Sequence, residues 1–169
     1  MNAYLLDTNA VSDWLDSTKP RHASVLRHVK LLADTDAILL TSTVVLGEIQ
    51  YGLRVAPAER RQSLEEFRAQ INAQFVHRRL LLDVSRTTAV QYGDLRARLF
   101  EKYAPRKRRR KGLRAEELVS PTTGKELGIQ ENDLWIAAQA VERNLILVAN
   151  DKMRPIQEAI PELRAEDWG

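Results

Sequence analysis

Asp7, Glu48, Asp133 and Asp151 are the side chains whose types and positions could do chemistry. Asp7 ends the apolar run AYLL, and Asp151 follows the aliphatic run LILVAN. Glu48 lies inside VVLGEIQYGL, and Asp133 falls near the start of ENDLWIAAQAVERN. Four ionised carboxylates in one pocket would repel one another and raise each other's pKa. A hard divalent cation relieves that conflict, and an all-oxygen ligand set without His or Cys suits Mg²⁺ or Mn²⁺ better than Zn²⁺. Such a centre lowers the pKa of a bound water and offsets charge on a transferred phosphoryl group, so the chemistry would be hydrolysis of a nucleic-acid backbone. Each acid also has a plainer reading. Asp7 can be a helix N-cap, Glu48 a solvated helix residue, Asp133 an acid favoured by a helix dipole, and Asp151 a turn residue or cap. Their joint placement, two at strand ends and two on flanking helices, favours the shared centre.

The elements that must position these acids are legible from periodicity. Residues 3–6, 37–41, 80–84 and 145–149 are apolar along nearly their whole length, Thr41 and Asp83 apart, the pattern of a parallel sheet covered on both faces. Between them run segments with apolar residues at helical spacing: Val11, Trp14 and Leu15 after a cap at Thr8 or Asn9; Val25, Leu26, Val29 and Leu32 over about 21–33; Val45, Ile49 and Leu53 after a cap at Ser42 or Thr43. Pro57 marks the start of a helix over about 57–76, Ser85 caps one that ends before Pro105, and a short helix falls near 155–160. Alternating strands and helices predict a three-layer α/β/α fold with a central, mainly parallel sheet. Ligand sites in such sheets lie beyond the carboxyl ends of the strands, where Asp7 and Asp151 fall.

The length of 169 residues predicts one domain over 1–169, with a loose basic loop or insertion at about 104–130. There is no cysteine, no signal-peptide pattern and no apolar stretch near 18 residues, which predicts a cytoplasmic protein with no membrane span. The net charge is +3, but residues 102–114 hold eight Lys/Arg and no acid; of 26 basic residues 18 then remain, against 23 acids, so an acidic body carries one basic segment. Arg106, Lys107, Arg108, Arg109, Arg110 and Lys111 are candidates for nucleic-acid phosphate contacts, because an acidic centre needs positive charge elsewhere to hold a polyanion. A solvated loop is the plainer reading of that run. His22, His28 and His77 match no metal spacing, Asp94 is four residues before Arg98 and suits an ion pair with it, and Trp14, Phe100 and Trp135 read as core or dimer contacts. Trp135, two residues past Asp133, should face away from that acid. Phosphate-loop, esterase-elbow and zinc-protease patterns are absent.

The segments LLDTN, LGEIQYG, NDLWIAAQA and LVANDKM, in that order over about residues 3–168, resemble the motifs of PIN-domain ribonucleases, most closely the VapC-type toxins of bacterial toxin–antitoxin pairs. The resemblance implies a Mg²⁺- or Mn²⁺-dependent endoribonuclease whose acidic quartet falls on Asp7, Glu48, Asp133 and Asp151. It also implies a homodimer and a cognate antitoxin that blocks the site. Thr8 and Asn9 are candidates to orient Asp7 or bound water. Ala149 departs from the family's usual Thr or Ser, which leaves the fourth motif incomplete. Two alternatives stand beside the toxin: a nuclease of the same fold acting in RNA processing or on DNA, and a catalytically inactive RNA-binding module.

Overall fold

A computed structural model describes residues 2–150 and 153–169. Five strands, β1 (Ala3–Leu6), β2 (Ile38–Ser42), β3 (Leu81–Leu82), β4 (Ile146–Val148) and β5 (Ala165–Glu166), form one sheet in the order β3-β2-β1-β4-β5, and every pairing is parallel. The central strand β1 registers Ala3 against Ile38 and Tyr4 against Ile146. Helices flank the sheet: α1 (Thr8–Leu15), α2 (His22–Ala33), α3 (Thr43–Val55), α4 (Ala58–Ile71), α5 (Arg86–Tyr103), α6 (Glu131–Glu142) and α7 (Arg154–Ala159). The result is the three-layer α/β/α arrangement that the nearly wholly apolar strands predict.

Leu5, Leu6 and Leu147 are fully buried between the helical layers. Each contributes about 1.5–3 kcal/mol relative to an exposed side chain. Ile49 and Leu53 of α3, Leu95 and Leu99 of α5, and Leu134 and Ile136 of α6 present the faces that close the core. The predicted strand over 80–84 is reduced to Leu81–Leu82, because Asp83 and Val84 lead straight into the Ser85 cap of α5. The helix predicted over 57–76 is two pieces: α4 ends at Ile71 and continues as one π-helical turn over Asn72–Val76, which buries Phe75 against Trp14.

Residues 104–130 are less loose than the composition suggests. Ala115, Leu118 and Ile129 are buried, and Leu118 and Leu127 face each other across a small turn held by a hydrogen bond from the Leu127 amide to the Leu118 carbonyl at 3.0 Å. Gly124, with φ +66°, closes that turn by donating to the Ser120 carbonyl at 2.8 Å. Apolar anchors every few residues hold the segment to the body although it forms no long element. No helix among the described residues is long and apolar enough to cross a membrane.

Candidate functional site

Asp7 is held at the carboxyl end of β1 by its own backbone: its amide donates to the Val148 carbonyl of β4 at 3.1 Å. Its side chain caps α1, accepting from the Ala10 amide at 2.6 Å. The cap is therefore Asp7 itself, not Thr8 or Asn9, because the strand stops one residue earlier than those caps require. Asp7 is only 3% exposed. Burial pushes its carboxyl from 3.8 up to about 7; the Ala10 hydrogen bond works against this, and the negative charges of Asp133, Glu48 and Asp13 add to it.

Those charges identify the cluster. Glu48 lies one and a half turns into α3, which starts where the Ser42 hydroxyl accepts from the Val44 amide at 3.0 Å. Its carboxylate is gripped on both oxygens: Thr8 Oγ1 donates to Oε2, and Asn132 Nδ2 donates to Oε1 at 2.8 Å. Asp133 sits in the first turn of α6, where it accepts from the Gln130 amide at 2.9 Å and suits the positive end of the helix dipole. Asp7, Glu48 and Asp133 thus come from a strand end and two different helices into one electrostatic neighbourhood. Asn9 is exposed on α1. Asp151 lies outside the described residues.

Among the described residues, no three Asp, Glu, His or Cys side chains already stand at mutual distances that would hold a metal ion. The donor chemistry nevertheless suits a hard cation: carboxylate oxygens only, one of them deeply buried beside two like charges. Asp7, Glu48 and Asp133 are the described side chains that would hold it. The present hydrogen bonds from Thr8 and Asn132 keep the Glu48 oxygens oriented.

Three neighbours escape sequence reading. Asn132 precedes Asp133 and reaches back to Glu48. Asp13, one face further along α1, is paired with Arg21 at 3.5 Å and adds its charge to Asp7. Trp135 lines a groove of about 510 Å³ with Val44, Gly47, Glu48, Tyr51, Val84, Gln130 and Asn132, a groove whose lining does not include Asp133. Asn132 and Trp135 are three residues apart on a helix and so share a face, which is the signal that locates them. Trp135 is also stacked on Tyr92 of α5, with centroids 3.9 Å apart and planes at 4°.

The basic segment sits on the far side of that stack. The Arg96 guanidinium lies over both Tyr92 and Phe100, and Arg109 lies 4.7 Å over Phe100. Arg109 Nε also donates to the Ala104 carbonyl at 2.9 Å, and Arg110 is paired with Glu117. Arg106, Lys107, Arg108 and Lys111 remain exposed. Arg98 pairs with Glu162 of the C-terminal segment, while Asp94, its expected partner, acts on it only through space. His22 Nδ1 bonds the Asp13 carbonyl and His28 stacks on Trp168, so neither is directed at a metal.

A PIN-domain model matches residues 4–159. The chain belongs to the PIN-domain family. It is similar over 167 residues to Ribonuclease VapC2 of Rickettsia felis (strain ATCC VR-1525 / URRWXCal2), with 29% identity covering 98% of this chain and 97% of that protein. The PIN fold is shared with solved structures: VapBC2 from Rickettsia felis bound to a DNA fragment from their promoter (TM-score 0.68, 24% identity, 99% of both chains) and DNA-bound VapBC from Salmonella typhimurium (TM-score 0.64, 24% identity, 100% of both chains). FitAcB from Neisseria gonorrhoeae is similar at TM-score 0.61 with 23% identity, covering 96% of this chain and 95% of that one.

Proposed function

We propose that this PIN-domain protein is a Mg²⁺- or Mn²⁺-dependent endoribonuclease that acts in the cytoplasm as the toxin of a toxin–antitoxin pair. What supports the reading is that buried Asp7, at the carboxyl end of β1, feels the charges of Glu48 and Asp133, while Thr8 and Asn132 bond the Glu48 carboxylate. Similarity to Ribonuclease VapC2 supports the RNA substrate, and the VapBC likenesses support a cognate antitoxin partner. Homodimerisation, and one domain spanning 1–169 with a loop at 104–130, complete the proposal.

Asp7, Glu48 and Asp133 are assigned to hold the divalent cation, with Asp151 as the fourth acid. When bound, the cation supplies Lewis acidity and offsets charge on the reacting phosphate. The protein's own groups do the positioning. The Ala10 amide fixes Asp7, Thr8 and Asn132 fix Glu48, and the Gln130 amide fixes Asp133. The acids repel the RNA backbone, so Arg106, Lys107, Arg108 and Lys111 are assigned to attract it from solvent, with Arg109 and Arg110 completing the basic surface from their internal pairs. The test is cleavage of total RNA by the purified protein. Cleavage with Mn²⁺ that stops on adding chelator is expected. Intact RNA across a wide range of Mn²⁺ and Mg²⁺ concentrations would overturn the proposal.

A further inference from the structure

We infer that the groove beside Glu48 is a subsite for one unstacked nucleobase of single-stranded RNA, with Tyr51 as the side chain on which that base stacks. The inference rests on the proposed nuclease function and specifies which part of the substrate enters the site.

The groove adjoins the carboxylate cluster, because Glu48 and Asn132 line both. Its volume of about 510 Å³ falls in the usual range for small-molecule pockets, about 300–1,000 Å³. Tyr51 stands one turn beyond Glu48 on α3 and is 70% exposed, which leaves its ring open to a ligand in the groove. Trp135 supplies the second aromatic wall and is held in place by its stack on Tyr92. Tyr92 is in turn tied by hydrogen bonds to Glu131 and, at 2.7 Å, to Arg96. The wall is therefore rigid before anything binds.

The lining chemistry selects the occupant. Among the described residues no Lys or Arg lines the groove, so a phosphate finds no described cationic side chain there. Aromatic rings, Val44 and Val84 suit a flat, uncharged, partly apolar group, and the amides of Gln130 and Asn132 can address polar base edges. The backbone's charge has its own complement across the Trp135–Tyr92–Arg96–Phe100–Arg109 ladder, in the cleft lined by Arg96, Arg106, Arg109, Arg110 and Lys111. An unpaired base pays the least to leave its neighbours and enter such a groove, which favours single-stranded RNA.

The probes are oligoadenylate and a fully abasic ribose-phosphate chain of equal length, bound in chelator so that nothing is cut, and read by fluorescence anisotropy. Tyr51→Ala should weaken oligoadenylate binding roughly five- to 100-fold, the span covered by loss of one base–aromatic stack, with the salt dependence unchanged. It should leave abasic-chain binding as it was, and Tyr51→Phe should bind oligoadenylate like the unaltered protein. Equal oligoadenylate affinity for Tyr51→Ala and the unaltered protein overturns the subsite. So does an equal loss on both probes, and so does a change of sedimentation mass in Tyr51→Ala with RNA affinity intact, which would make the face a contact between copies of the chain. Failure of the nuclease reading is separate: it is absence of cleavage with Mn²⁺, a result that this binding measurement neither needs nor produces.

Discussion

The carboxylate cluster and the basic segment bear opposite charge and are built in opposite ways. Asp7, Glu48 and Asp133 lie far apart in the chain and meet only because a parallel sheet brings a strand end and two helix positions to one edge. The basic residues are consecutive, and most point into solvent. The acids are partly or wholly buried, so each change there alters both chemistry and stability. The cations are cheap to place and act through long-range attraction, apart from Arg109 and Arg110, which the fold has claimed. Like charges repel in both, but burial leaves the repulsion among the acids unscreened, whereas solvent and salt screen it among the exposed cations.

The largest test of this contrast is Asp7→Asn. Cleavage should fall about 1,000-fold or more, since several kcal/mol of transition-state stabilisation depend on an intact cation site and each 1.36 kcal/mol is tenfold. The fold should survive, because Asn serves as an N-cap as well as Asp does. Initial rates on RNA with Mn²⁺ and thermal melts of the same preparation check both halves.

The second test follows from burial of Asp7. In metal-free protein the folded chain retains the Asp7 proton up to about pH 7, whereas the unfolded chain releases it near 3.8. Between those values the folded state binds more protons, so its stability falls as pH rises, and the penalty is complete above about 7. From pH 5 to pH 8 the loss is on the order of 3 kcal/mol, and Asp7→Asn should remove it. Urea unfolding of both proteins in chelator at the two pH values measures the difference. Saturating Mn²⁺ should flatten the slope, since a bound cation favours the ionised carboxylate.

These expectations also mark what the sequence discloses. Nearly wholly apolar strands at 3–6, 37–41 and 145–149 make the parallel sheet legible, and the sheet makes Asp7 legible as an edge acid. Its capping of α1 is one of three readings by type, since Thr8 and Asn9 are equally good caps, and only the end of β1 decides among the three. Trp135 and Tyr51 are missed for another reason. Helical spacing reports which residues share a face of one helix, while the groove is formed between α3 and α6, and that pairing is a tertiary fact. The order in residues 104–130 is hidden because Ala115, Leu118 and Ile129 are apolar at no regular period.

The third test divides the basic segment against itself. Replacing Arg106, Lys107, Arg108 and Lys111 together by Gln should weaken RNA binding and reduce the slope of log affinity against log salt by up to about 3, with stability unchanged. Replacing Arg109 alone should cost about 1–2 kcal/mol of stability, a drop of roughly 2–8 °C in Tm, because its cation–π contact with Phe100 and its bond to Ala104 are both lost. Binding isotherms at several salt concentrations, beside melts of each variant, separate attraction from structure.

The smallest effect is a control of opposite sign. Arg98 holds the Glu162 carboxyl down at about 2, against an ordinary 4.5. Here the unfolded state takes up the proton first, so the pair's contribution is present above about 4.5 and is lost as pH falls toward 2. Both side chains are more than a third exposed, and solvent and salt screen them, so the contribution is about 0.5–1 kcal/mol at neutral pH. Glu162→Gln should therefore destabilise the protein by that amount at pH 7, by almost nothing near pH 2, and by less in high salt. Asp7→Asn should do the reverse, with no gain in acid and its full gain above pH 7. If the two variants showed stability differences that ran the same way with pH, Asp7 would be no more strained than a surface carboxylate, and the contrast between a buried acid cluster and solvated charge would fail at its most exposed point.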